Sequence, residues 1–235
     1  MQGLIAALRW MTTLPMPNKE VAEEGDMQTI LPWLPITGLV VGLCVVLACY
    51  TGSLLNPWLG ALLGTLVWML VTGGLHADGL ADLVDALGAS HGNAERFIAV
   101  LKDPHIGSFG VLALIFLVVG KLILLKFLID AEAWWGLLLI PMWARLGVLF
   151  WCRLPALTDG FAAQLKTVNI VYQNSIWLLA MIILSLFSGT LLWLAIGIIY
   201  LWHAFLKYRV KGMNGDCLGA GIECSEIVLL GLLLI

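Results

Sequence analysis

Residues Gly73–Gly110 read GGLHADGLADLVDALGASHGNAERFIAVLKDPHIGSFG, and apolar sequence adjoins both ends, VWMLVT before and VLALIFLVVG after. The stretch concentrates charge in a chain that otherwise avoids it: Asp78, Asp82, Asp85 and Asp103 all fall here. If Asp78 to Leu87 is helical, positions i, i+4 and i+7 share about 60° of arc, so three carboxylates lie on one face. Carboxylates held together repel one another unless a cation or a set of donors sits between them, and an all-oxygen cluster suits a hard cation such as Mg²⁺. The alternative is a capping Asp78 with the other acids facing water.

Working outward, the flanks decide the class. The 235 residues are 61% hydrophobic and 11% charged, with mean hydropathy +1.00, whereas soluble domains carry about 25% charged residues. A ruler of about 20 apolar residues per span gives segments at Trp33–Leu55, Pro57–Leu75, Gly107–Ile129, Trp134–Leu154 and Leu218–Ile235. The long run Ile176–Leu206 divides at Ser188-Gly189-Thr190. The expectation is an all-α, polytopic integral membrane helical bundle of about seven transmembrane helices, a single membrane domain over residues 1–235. Lys and Arg collect in alternate loops, which orients the N-terminus and the aspartate stretch toward the cytoplasm.

The formal charge of −3 and the lack of a basic stripe with interleaved aromatics exclude a nucleic-acid binder. Cys44, Cys49, Cys152, Cys217 and Cys224 lack metal-knuckle spacing and read as reduced packing residues. The N-terminus lacks the pattern of a signal peptide, so the mature chain is expected to begin there. Small residues in LPITGLVVG allow close helix approach. The acids at positions 20 to 26, Asp159 and Lys166 are expected to face solvent.

A second acidic group lies in KGMNGDCLGAGIECSEIVLL, where Asp216, Glu223 and Glu226 fall within about 80° of arc on an otherwise apolar helix. Acids at membrane depth are costly and mark function; the bland reading puts the two glutamates at the interface. Glycines there, Gly215 and Gly219 among them, permit close backbone approach to a phosphate or a helix. In KDPHIGSFG, Asp103 before Pro104 reads as a helix start. Lys102, His105 and the amides of Gly107 and Gly110 also suit a pyrophosphate site. His76 reads as a metal ligand, phosphate donor, base or plain interfacial residue. Arg145, inside a span, needs an anion, either a carboxylate or a substrate phosphate.

With these motifs assembled, the chain resembles the cobalamin synthase family, the adenosylcobinamide-GDP ribazoletransferases, over essentially its full length. The marks are TLPMP (Thr13–Pro17), LPITGLVVG, TGGLHADGLADLVDAL, LKDPHIGSFG, Arg145 and GDCLGAGIECSE (Gly215–Glu226). It departs from the family's Gly-Gly-x-Thr-Gly-Asp with Lys211-Gly212-Met213-Asn214-Gly215-Asp216, and ALTDGF (Ala156–Phe161) lacks an arginine often found there.

The resemblance implies phosphoryl transfer from adenosylcobinamide-GDP to a hydroxyl of α-ribazole or its 5'-phosphate form, with release of GMP. It also implies a multi-pass protein of the bacterial cytoplasmic (inner) membrane, embedded in the lipid bilayer, with the active site facing the cytoplasm, and leaves a homo-oligomer open. Mg²⁺ would be held by Asp78, Asp82 and Asp85, with Asp103 or Asp216 completing the shell and Glu223 and Glu226 as further metal ligands. Lys102 and Arg145 would stabilise charge, beside His105 and the amides of Gly107, Gly110, Gly215 and Gly219; His76 or Asp82 would be the base. Asp78 and Asp216 are expected to line one cleft between the second and last spans. The competing readings are a CDP-alcohol phosphotransferase or prenyltransferase, and an ion-coupled transporter. The first is disfavoured by Asp82 where DGxxAR requires arginine; the second by acids clustered on one side.

Overall fold

The computed structural model describes residues 2–16, 27–157 and 171–235. Its elements are helices α1 (Gln2–Met11), α2 (Met27–Ile30), α3 (Leu34–Ser53), α4 (Pro57–Thr72), α5 (Leu75–Ser90), α6 (Ala94–Leu101), α7 (Ser108–Asp130), α8 (Trp134–Trp151), α9 (Val171–Phe187), α10 (Ala195–Phe205) and α11 (Gly215–Leu232). Short 3₁₀ turns precede α3 and α10, and a π turn, Leu206–Val210, follows α10. Among the described residues the only strand-like pairing is the parallel bridge of Ala156 with Met213. The acids at positions 20 to 26, Asp159, Lys166, Pro17 of TLPMP and the end of ALTDGF lie outside the described residues.

Local chemistry sets the helix ends. Asn56 caps α4 by accepting from the Trp58 amide, with Pro57 at the first position. At the other end, Gly73 and Gly74 take φ +63° and +69°, and this pair of left-handed residues turns the chain through 86° into α5. The second apolar segment therefore stops at Thr72 rather than Leu75. Asp103 and Pro104 start no helix: Asp103 Oδ1 accepts from the His105 amide at 3.0 Å in an exposed turn, and α7 begins at Ser108. The chain does break at Ser188-Gly189-Thr190, between α9 and the turn before α10, with Gly189 at φ +68°.

Helix α3 packs antiparallel to α8, and α4 antiparallel to α7. A side chain on Gly38 or Gly42 of α3 would collide with the Pro141 or Leu138 carbonyl of α8, so LPITGLVVG packs against another helix as its small residues suggest. Along α4, Gly60 faces Ile129 and Gly64 faces Leu125 of α7. One end of the bundle gathers the chain's turns: the Thr13 amide meets the Val71 carbonyl at 2.8 Å, and the Met213 amide meets Pro155 at 2.8 Å. There α5 lies across the amino-terminal ends of α7 and α11.

Among the described residues four segments are long and apolar enough to cross a membrane, Met27–Ser53, Ser108–Asp130, Trp134–Trp151 and Leu191–Val210, and a fifth follows if α4 and α5 form one bent span. The expected seven is thus not reached by length and apolarity. α4 is short, Gln173–Phe187 is apolar but shorter than 18 residues, and α11 carries Asp216, Glu223 and Glu226.

Candidate functional site

The crossing of α5 over α11 joins the two acidic groups. A Cβ on Gly79 would stand 2.8 Å from Asp216 Cα, and one on Gly219 would stand 3.1 Å from His76 Cα. Two glycines at one crossing let the backbones touch, so residues more than 100 apart in sequence share a surface. The partner of α11 here is α5, not the second span α4 as the sequence suggested; α11's other main neighbours are α7 and α8.

Asp78 is exposed and Asp82 half-buried on this face. Burial, then the charges of Asp78, Asp216 and Asp85, push the Asp82 carboxyl up to about 6. Asn214 Oδ1 accepts from the Cys217 amide at 3.0 Å, capping α11, while its Nδ2 donates to Asp216 Oδ2 at 2.6 Å. One side chain thus starts the helix and aims the aspartate. Gly215 next to it is open, with nothing near its Cβ position.

Asp85 is engaged elsewhere. Its carboxylate accepts the Gly107 amide at 2.7 Å and the Gly110 amide at 2.9 Å, and a side chain on either glycine would strike it. It caps α7 from another helix, satisfying donors that an N-terminus leaves orphaned. The Gly107 and Gly110 amides expected to face a pyrophosphate are those donors, so Asp85 and the two glycines form a structural clasp. Lys102, Asp103 and His105 are exposed; His105 Nδ1 sits 2.6 Å from Asp103 Oδ1, which holds the Asp103 carboxyl below its usual range.

The glutamates also diverge from Asp216. Seven and ten residues farther along α11 is roughly 10 to 15 Å of rise, which carries them into the bundle. There Lys121 Nζ lies 2.6 Å from Glu223 Oε2 and 2.7 Å from Glu226 Oε2, and Arg145 Nη1 lies 2.9 Å from Glu226 Oε1. All four side chains are at most 1% exposed. Lys121 also lies 4.2 Å from the Trp68 ring centroid. Two cations and two anions cancel, so Glu223 and Glu226 serve Lys121 and Arg145 rather than a metal at the aspartate face, and Arg145 is tied inward.

Lys121 escaped the sequence reading; its signal was a lone cation inside an apolar run. His76 lies between the two layers, 3% exposed. Both its ring nitrogens, and Arg145 Nε and Nη2, have no hydrogen-bond partner, and Arg145 and Lys121 are within electrostatic reach of the ring.

Among the described residues no group of three or more His, Cys, Asp or Glu stands in an arrangement that could hold a metal. What faces the crossing is an open set of hard oxygen donors, Asp78, Asp82 and Asp216. Carboxylates gathered on one face repel one another, and a cation between them relieves that repulsion. The chemistry of the donor set fits Mg²⁺ without a preformed cage.

Comparison with known proteins bears on what this face serves. The family model described as Cobalamin-5-phosphate synthase matches residues 3–234. Curated proteins named adenosylcobinamide-GDP ribazoletransferase are similar over nearly their whole length. That of Thiobacillus denitrificans is 41% identical over 96% of this chain and 92% of its own. Those of Novosphingobium aromaticivorans and Laribacter hongkongensis are 41% and 42% identical, each over 98% of this chain and 95% of its own. No solved structure matches. With the aspartate helix, the clasp and the α11 motif all inside the matched region, the chain belongs to the cobalamin-5-phosphate synthase family.

Proposed function

We propose that this transferase carries out the reaction its relatives are named for, joining adenosylcobinamide-GDP to α-ribazole or its 5'-phosphate in cobalamin biosynthesis. A free ribose hydroxyl attacks the phosphorus on the cobinamide side of the pyrophosphate. The bond to the bridging oxygen breaks, GMP leaves with that oxygen, and the hydroxyl proton passes to a base. The observation carrying this reading is the α5–α11 crossing, which brings Asp78 and Asp82 beside Asp216.

Asp78, Asp82 and Asp216 would hold Mg²⁺, and Asp216 takes the place left open between it and Asp103 because Asp103 is committed to His105. The metal would supply charge neutralisation on the pyrophosphate. Asn214 orients Asp216. Lys102, exposed near the same end, offers a further cation. His76, with both ring nitrogens unpartnered, or Asp82 would take the proton. We place this face in the cytoplasm, where polar substrates and GMP are soluble, and the chain in the inner membrane. Glu223 and Glu226, neutralised within the bundle, are not ion sites, which disfavours the transporter.

The test incubates membranes containing the protein with adenosylcobinamide-GDP, α-ribazole and Mg²⁺. GMP and adenosylcobalamin should appear, EDTA should stop their formation, and Mg²⁺ should restore it. Folded protein that yields neither product would sink the proposal.

A further inference from the structure

Beside the aspartate face, between the end of α5, α6 and the π turn after α10, lies an open cavity of about 300 Å³. That is the lower end of the roughly 300 to 1,000 Å³ of small-molecule sites: room for one nucleoside-sized group, and too little for a corrinoid ring. Leu87, Phe97 and Ile98 make its apolar side, and Tyr208, Arg209 and Lys211 its polar one. The two cations are exposed and make no ion pair with any described residue.

The backbone here is unusual. Lys211 takes φ +65° and ψ +20°, a left-handed conformation uncommon for any residue with a side chain. It is held from both sides: the Gly212 amide reaches the Leu206 carbonyl at 3.2 Å, and Met213 exchanges bonds with Pro155 and Leu157 at 2.8 and 2.9 Å. A Cβ on Gly212 would fall 2.7 Å from the Pro155 carbonyl oxygen. Lys211 ends the π turn in this conformation, and its exposed side chain lines the cavity. The cavity also adjoins the chemistry: Lys211 precedes Asp216 by five residues, and Leu87 follows Asp82 by about 7.5 Å of helix rise.

We propose that this cavity is a nucleoside-phosphate subsite, with a heteroaromatic base against Leu87, Phe97 and Ile98 and a phosphate on Arg209 and Lys211. The inference rests on the transferase reading above and adds where a nucleotide is held. Two reactants bring that chemistry, the 5'-phosphate form of the acceptor and the guanosine end of the donor. The shared requirement is an aromatic base with a phosphate one ribose away.

The experiment compares wild type with Arg209→Ala and Lys211→Gly, the glycine being unstrained at φ +65°. KM is measured for adenosylcobinamide-GDP, α-ribazole and α-ribazole 5'-phosphate. Calorimetric Kd values for GMP and both acceptors in detergent ask the same question without turnover. Loss of a charge-assisted contact should raise KM or Kd about tenfold for one phosphate-bearing ligand relative to α-ribazole. A selective rise for α-ribazole 5'-phosphate assigns the cavity to the acceptor; a selective rise for the donor and GMP assigns it to the donor. Ratios within twofold of wild type in both variants, or an equal rise for α-ribazole and its phosphate, overturn the subsite. Because binding is read directly, a wild type that binds the nucleotides but yields no product would refute the reaction and leave the subsite standing.

Discussion

Asp82 and Asp85 stand three residues apart on α5 with different tasks. Asp85 spends both oxygens on the Gly107 and Gly110 amides, while Asp82 is pushed up to about 6 by burial and then by the carboxylates around it. Their substitutions should therefore separate. Asp82→Asn keeps shape and should leave thermal unfolding in detergent nearly unchanged, within about 0.5 kcal/mol. Turnover should fall by more than the roughly 10- to 100-fold that outer-shell changes cost. Asp85→Ala strips two amides of their acceptor and should lower stability by about 1 to 3 kcal/mol, seen as a lower unfolding temperature. Near-normal turnover in Asp82→Asn would return that residue to a solvated face. Helical periodicity alone places Asp78, Asp82 and Asp85 together. What it cannot show is that an amide pair from α7, 22 and 25 residues away, has claimed one of the three.

At the level of elements, α7, α8 and α11 are joined by a balanced set of charges, and α5 closes over α11 through two glycines. Removing one member of the set strands a charge: Lys121→Met leaves Glu223 and Glu226 facing Arg145 alone, a loss of about 3 to 5 kcal/mol for a broken buried pair. The double variant Lys121→Met/Glu223→Gln restores neutrality and should recover most of the folded yield in mild detergent. No recovery would show that Lys121 acts by packing, through its contact with Trp68, rather than by charge. The crossing is tested by Gly79→Val, whose side chain meets Asp216 backbone atoms at 2.8 to 3.3 Å and must push the helices apart. It should cut turnover sharply while Glu223 and Glu226, farther along α11, still hold their partners; unchanged turnover would mean Asp216 is not needed near Asp78. The helices themselves were legible as apolar runs bounded by prolines and glycines. Lys121 was not, because in a run of 23 residues one lysine barely alters the apolar average, and only its partners on another helix reveal its charge as fixed.

For the molecule as a whole, the sequence separates polar from apolar segments well, because lipid forbids unpaired polar backbone and the chain must say where it turns. It cannot say how a short helix such as α4 is completed, since the 86° turn at Gly73 and Gly74 depends on how α5 docks over α7 and α11. The ends of the bundle do carry a readable asymmetry. Arg96, Lys102, Arg153, Lys207, Arg209 and Lys211 belong to the end where α5 lies, and at the opposite end Lys126 is tied to Asp130 at 2.5 Å. Retained positive charge marks the cytoplasmic side, and on the orientation proposed above the aspartate face, the clasp and the cavity would lie there. Single cysteines test this in a background lacking the five native ones, all free. Glu95→Cys and Lys207→Cys are at exposed positions of the basic end, and Ala131→Cys is at an exposed position of the other. In intact cells an impermeant thiol reagent should label Ala131→Cys alone, and permeabilisation should open the other two. Labelling of Glu95→Cys from outside would reverse the orientation and with it the side from which both substrates must arrive.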